Sequence, residues 1–235
     1  PIRYSQVLEK VDQFAYRMAE LLRLGREIKD WAGEREKEMK SDIRDNVRDE
    51  LEREKALGNV NVHIQSPASR FHHLSNYLTL SINGVFMEDM VMEALSRGHK
   101  PVVAVANTGD ALVADLVASN LAETEVDGET PRISASGVVL PEKPHLGHVV
   151  KRMADRLLTV KECDGFGVME ERRLVEYEDW LADFNARVDS DDFAMLSLCV
   201  IDDLGVALEK HGLSLGEITG RSFMVRPDEK GFRVM

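Results

Sequence analysis

Apolar residues recur from Ser5 to Trp31 at Val7, Leu8, Val11, Phe14, Ala15, Met18, Leu21, Leu22 and Ile28. This is the i, i+3, i+4, i+7 stripe of an amphipathic helix. The stripe thins in GEREKEMKSDIRDNVRDELEREK, where opposite charges three or four apart can pair along an exposed helix. Met39, Ile43, Val47 and Leu51 keep one apolar line there. The pattern predicts an αα-hairpin or one broken long helix, hinged near Gly33 and ended by Gly58-Asn59. Residues 1–58 thus form a helical extension.

Beyond it, the alternation from Val60 to Ile64 predicts a strand, and Ser66-Pro67 a break. Phe71, Leu74, Tyr77, Leu78, Leu80 and Ile82 give a helix its buried face. Asn83-Gly84 interrupts it, and Val85 to Leu95 resumes before Arg97-Gly98. Pro101 to Ala106 is a continuous apolar run rich in valine, as expected of a parallel strand covered on both faces. Thr108 or Asp110 caps a helix from Ala111 to Leu121. Strand, polar turn and helix together predict an α/β fold.

Residues 122–144, rich in Gly and Pro, predict a loop insertion. Helices are predicted over 146–157, 174–188 and 198–211. Between the first two, 158–170 predicts a hairpin turning at Asp164-Gly165. Leu215 to Ile218 reads as a strand, and Phe223 to Arg226 pairs with Phe232 to Met235 across Pro227 to Gly231. The second domain therefore covers 59–235.

Composition adjusts this picture. With 235 residues, 43% hydrophobic and 31% charged, the chain has enough apolar material for a core. No apolar run nears the roughly 18 residues that cross a bilayer, so no membrane partner is expected and the setting is cytoplasmic. Pro1 as first residue reads as a processed or trimmed start. The formal net charge of −12 repels phosphate in bulk, which leaves nucleic-acid contact only to a few amides and local cations. Cys163 and Cys199 lack any ligand spacing and read as reduced core thiols.

Candidate chemistry is sparse. His145 and His148 have the reach for a metal on one helical turn, but no carboxylate or thiol completes the set in sequence, so no metal is assigned. Gly165-Phe-Gly167 lies between strands and reads as a hairpin tip, not a nucleotide loop. The adjacent carboxylates Asp191-Asp192 and Asp202-Asp203 point apart on a helix and read as capping or solvated groups. The turn Asn107-Thr108-Gly109-Asp110 stands where an apolar strand meets a helix, and free amides there can meet a phosphate. A plain capped helix is the other reading. No G-x-x-x-x-G-K-[ST] occurs, so the chain has no P-loop, and no nucleophile or general base clusters with the turn to make a small-molecule enzyme.

Several strings resemble a known family. PVVAVANTGDALVADL resembles the first strand and helix of the second RecA-like lobe in strawberry notch-type helicases, a superfamily 2 group with phage and bacterial members. SRFHHLSNYLTLSINGVFMEDMVMEALSRGHK is similar to the helices that approach it, and ADRLLTVKECDGFG to a helix and hairpin insert. IDDLGVALEKHGLSLGEITGRS, the most specific string, is similar to a helix, a strand and a Thr-Gly-Arg turn. The resemblance runs from about Ser66 to Arg226. It implies a partial RecA-like parallel sheet with flanking helices, a hairpin insert and the N-terminal helical extension.

It further implies part of an ATP-dependent helicase or translocase that does not hydrolyse ATP alone. ATP and Mg²⁺ would bind only in the complete motor, and the partners would be nucleic acid, DNA ahead of RNA, with the remaining motor lobe or a partner chain. Strand contacts fall on Asn107, Thr108, Gly109 and Arg221, with Asn107 standing where the family more usually has Ser. Arg221 is left between meeting phosphate and bracing the lobe. The alternative function is a non-enzymatic protein-interaction module on a degenerate lobe, using the charged helices and their line Met39, Ile43, Val47, Leu51.

Overall fold

The structure, a computed structural model, describes residues 2–65, 67–105, 110, 113–114, 116–118, 138–218 and 220–235. In chain order the helices are α1 (Ile2–Asn46), α2 (Glu50–Asn59), α3 (Pro67–Ser96), α4 (Leu146–Leu157), α5 (Glu178–Asp191) and α6 (Val200–Lys210). The strands are β1 (Asn61–His63), β2 (Val139–Leu140), β3 (Thr159–Cys163), β4 (Met169–Arg173), β5 (Val225–Asp228) and β6 (Gly231–Val234). Helical residues also occur at 110, 113–114 and 116–118. The chain divides into two compact units, one of Pro1–His72 with Val150–Asp191 and one of His73–Val149 with Asp192–Met235.

The first unit is built on α1, whose predicted stripe is buried at Val7, Phe14, Met18, Leu21 and Ile28. Leu181, Phe184 and Val188 of α5 are buried as well. Arg17 holds α1 to the end of α5 with a two-pronged pair to Asp191, at 2.6 and 3.1 Å. The helix does not hinge at Gly33. Its neighbours there are already committed: Arg35 bonds Glu162 of β3 at 3.2 Å, Glu36 accepts the Val62 amide of β1 at 3.0 Å, and Trp31 lies under Arg172 of β4. These ties outweigh the roughly 1 kcal/mol that a helical glycine costs.

The break comes instead at residues 47–49, where Asp49 caps α2 by accepting the Glu52 amide at 2.8 Å. The thin apolar line of the charged helix then turns inward: Ile43 is buried with Ala56 and Val60, and Met39, Val47 and Leu57 pack beside them. β1, β3 and β4 form an antiparallel sheet in that order. The hairpin tip is longer than the two-residue turn expected, because the Asp164 carboxylate accepts the amides of both Phe166 and Val168 and rounds the turn over five residues.

The second unit contains the sheet β2-β6-β5, also antiparallel. β5 pairs with β6 as the sequence predicts, but across a tighter turn: Pro227 and Asp228 belong to β5, an edge strand that tolerates the proline, and Gly231 to β6, so only Glu229-Lys230 connects them. Gly231 has φ +145°, and a Cβ there would meet the Leu140 carbonyl oxygen at 2.2 Å, so β2 can close on β6 only beside a glycine. Helix α3 runs through Asn83-Gly84 without the expected interruption. Val200 of α6 packs where a Gly84 Cβ would stand, 2.6 Å away, so this glycine serves a close helix approach. Leu80, Met87 and Val91 of α3 form a core there with Val200, Leu204 and Leu208.

The fold is thus mixed α and β as expected, but the sheets among the described residues are antiparallel and no parallel RecA-like sheet is present among them. Pro101–Val105 forms no strand, and neither do the described residues of 215–218. A parallel strand needs a hydrogen-bonded neighbour, and none is offered to either segment among the described residues. The predicted turn 107–109, residue 106 and most of the 122–144 insertion lie outside the described residues. The part of that insertion described carries β2.

Gly84→Val is expected to destabilise the fold by about 2 kcal/mol or more through overpacking against α6. Gly33→Ala, which meets open space, is expected to stabilise it by about 0.5–1 kcal/mol. Urea denaturation of the two variants checks both signs.

Candidate functional site

Helix α6 opens the site. Its first turn carries Asp202 and Asp203, which do point apart but are not simply solvated. Asp203 pairs with Lys143 at 3.1 Å. Asp202 is buried, and its Oδ2 accepts the Val225 amide of β5 at 2.9 Å. Its Oδ1 faces Arg221 Nη1 at 2.7 Å, a charge contact and not a well-aimed hydrogen bond. Side-chain exposure is 4% for Asp202 and 8% for Arg221. Burial therefore raises the Asp202 carboxyl above its ordinary range, and the Val225 amide and Arg221 offset only part of that.

Arg221 is committed on both sides, since it also donates to Glu217, four residues earlier, at 2.6 Å. Its guanidinium is thereby held more firmly protonated than usual, the two carboxylates outweighing its burial. Of the two roles left open by the sequence, this geometry is that of a brace: the cation faces inward and fixes the 217–221 turn.

Asp110 does something the sequence did not reveal. It does not merely start its own helix. Its carboxylate accepts the amides of Ser222 at 2.5 Å and Phe223 at 3.3 Å, 112 and 113 residues away. The residue that follows the Asn107-Thr108-Gly109 turn is therefore bonded to the residues that follow Gly220-Arg221. Residues 107–109 themselves lie outside the described residues.

The segment that leads to Arg221 also lines a cavity of about 440 Å³. Val103, Ala104 and Val105 line one part of it, Leu215 to Ile218 and Gly220 another, and Met87, Ile201 and Leu204 the rest. The apolar character of the 101–105 and 215–218 segments is only partly used. Val105 and Leu215 pack on the α3–α6 core, while Val102 is 94% exposed and Ile218 fully so.

The remaining candidates divide. Cys163 and Cys199 are free thiols, and burial pushes the Cys199 thiol up, which suits an inert core position. Gly165-Phe-Gly167 is the β3–β4 tip, as read. For the histidine pair, the structure corrects the sequence reading that no third ligand exists: the Glu142 carboxylate stands beside both imidazoles. The signal was present three residues upstream of His145, but a proline between them hides the fold-back from any helical-spacing rule.

Removing one partner of a buried ion pair costs about 3–5 kcal/mol. Asp202→Ala is expected to lose that much in a denaturant melt. The carboxyl also gives a pH signature. Because its folded pKa lies above the ordinary 3.8, the folded chain holds the proton more tightly than the unfolded one. Its contribution is most favourable below 3.8 and falls as pH rises through the folded value. The stability of Asp202→Asn relative to the parent should therefore improve between pH 4 and 7, and a difference independent of pH would refute the assignment.

Comparison with protein-family models finds no match, and comparisons with curated proteins and with solved structures find none either.

Proposed function

We propose that this chain is part of an ATP-driven nucleic-acid helicase or translocase of the strawberry notch type, supplying strand contacts and no ATP hydrolysis by itself. The observation that carries this reading is the bond from Asp110 to the Ser222 and Phe223 amides. It ties Asp110, which follows in sequence the first turn that a second motor lobe would use, to the residues that follow the second, more than a hundred positions away.

Asn107, Thr108 and Gly109 then offer hydroxyl, amide and backbone donors to a phosphate, while Arg221 holds the neighbouring turn and does not itself reach out. Two further features fit a lobe whose sheet is completed from elsewhere. Val102 and Ile218 leave valine- and isoleucine-sized apolar surface in water, on segments that join no sheet among the described residues. Covering each would gain about 1.5–3 kcal/mol. ATP and Mg²⁺ belong, in this reading, to the complete motor, and DNA is the favoured strand.

The competing reading, a protein-interaction module built on the charged helices, loses its sequence support. Ile43 is buried within the chain, and Met39 and Val47 pack against the same cluster, which leaves only Leu51 of that line exposed.

The test measures single-stranded DNA binding by fluorescence anisotropy across a salt series, together with ATP turnover. With a body charge of −12 and contacts made through amides, the slope of log affinity against log salt should correspond to about one or two phosphates, not the six to ten of a basic groove. Asn107→Ala and Thr108→Ala should each weaken binding several-fold, and ATP turnover should stay at background. Nucleic-acid-stimulated hydrolysis by this chain, or variants that bind like the parent, would overturn the proposal.

A further inference from the structure

Glu142, His145 and His148 bring one carboxylate and two imidazoles together in the second unit. Glu142 Oε1 lies 3.0 Å from His148 Nε2, and Oε2 lies 3.5 Å from His145 Nε2. The candidate ligand atoms of all three residues fall within 4.8 Å of one another. Around a tetrahedral Zn²⁺, bond lengths of roughly 2.0–2.2 Å set ligand atoms about 3.3–3.5 Å apart. Two of the three separations already have nearly that size. We infer that these residues form a binding site for a divalent transition-metal cation of the Zn²⁺ class.

The histidines are held in place from several directions. Residue 145 bridges to Ser197, the Leu146 amide donates to the Leu196 carbonyl at 3.0 Å, and the Leu198 amide to the Pro144 carbonyl at 3.0 Å. The side chains of His145 and His148 are 14% and 17% exposed, while Glu142 at 59% faces solvent. Gly147 makes room for the first ring: a Cβ there would stand 2.8 Å from His145 Cε1 and 3.0 Å from its Nδ1. The nearby cation Lys143 is neutralised by Asp203, so its charge opposes a metal less than a free lysine would. Two imidazoles and one carboxylate favour a borderline cation over Mg²⁺ or Ca²⁺, which prefer all-oxygen sites, and three protein ligands leave positions for water.

Metal entry has a definite cost in protons and hydrogen bonds. His145 Nδ1 accepts the Gly147 amide at 3.1 Å, and His148 Nδ1 accepts the His145 amide at 3.2 Å. Each neutral ring therefore carries its proton on Nε2 and directs it at Glu142. On binding, Nε2 becomes the ligand and the proton moves to Nδ1. A proton on Nδ1 would face the Gly147 or His145 amide donor to donor at 3.1–3.2 Å, so each ring has to turn away from that amide, which then bonds to water. No net proton is released from a neutral ring, and the cost is two long hydrogen bonds and a turn of each ring.

The experiment titrates the whole metal-free chain with Zn²⁺ by calorimetry and with Co²⁺ by its visible absorption, with Mg²⁺ as comparison and circular dichroism as the check on folding. One Zn²⁺ per chain is expected, with little heat from Mg²⁺ and a Co²⁺ spectrum of low coordination number. His148→Gln and Glu142→Gln should each reduce Zn²⁺ affinity by more than about tenfold, the loss already seen when only an outer partner of a metal ligand is removed. Glu142 is exposed enough for its variant to keep the fold. Gly147→Ala, which removes no ligand, should also weaken binding by displacing His145. Absence of Zn²⁺ binding, affinity unchanged in Glu142→Gln or His148→Gln, or Mg²⁺ binding as tight as Zn²⁺ would overturn the assignment in favour of a carboxylate that only bridges two imidazoles.

Discussion

Backbone amides outside a sheet ladder need other acceptors, and between residues 222 and 225, from an exposed to a buried position, two aspartates share that task. Asp110 takes the amides of Ser222 and Phe223, and Asp202 takes that of Val225. Met224 between them pairs with Met235 through both backbone groups. A segment that approaches β5 is thereby fixed mostly by side chains and not by a sheet ladder. Because Asp202 is buried, it draws Arg221 in beside it, and Arg221 in turn holds Glu217. One buried carboxylate thus sets the direction of the cation, the shape of the 217–221 turn and one wall of the adjoining cavity.

The same logic of committed partners explains the first unit. A long charged helix is marginal by itself, since surface pairs such as Lys37–Glu34 contribute only about 0.3–0.5 kcal/mol each. What keeps α1 continuous through Gly33 is the set of long-range ties from Arg35, Glu36 and Trp31 to the β1-β3-β4 sheet. The apolar line that follows is consumed by α2, because the break at 47–49 lets the chain fold back onto Ile43. Charge made this segment look like a free surface, yet one buried isoleucine ties it down.

Elements with strong local signals were legible. The stripes of α1, α4 and α6, the β3–β4 hairpin and the β5–β6 pair follow from periodicity and turn residues that act over a few positions. What misled was any residue whose role is set by a distant neighbour. Gly84 reads as an interruption until Val200 is seen against it, and Pro101–Val105 reads as a covered strand although it pairs with no strand among the described residues and Val105 alone of its valines packs on the core. The candidate site was half legible. His145, His148, Arg221 and the 107–110 turn stand out by residue type, but Glu142, the inward turn of Arg221 and the reach of Asp110 to Ser222 depend on contacts that spacing does not encode.

Exposed valine and isoleucine are ordinary when scattered singly. Here they are not scattered, because Val102 and Ile218 belong to two segments, 101–105 and 215–218, that line the same cavity. Each segment has one residue, Val105 or Leu215, packed on the α3–α6 core. The core therefore holds both segments while Val102, Val103 and Ile218 stay exposed. Such an arrangement costs hydrophobic free energy as it stands and recovers it only when another element lies against those residues. That is the physical sense in which Val102 and Ile218 are apolar surface left open to water.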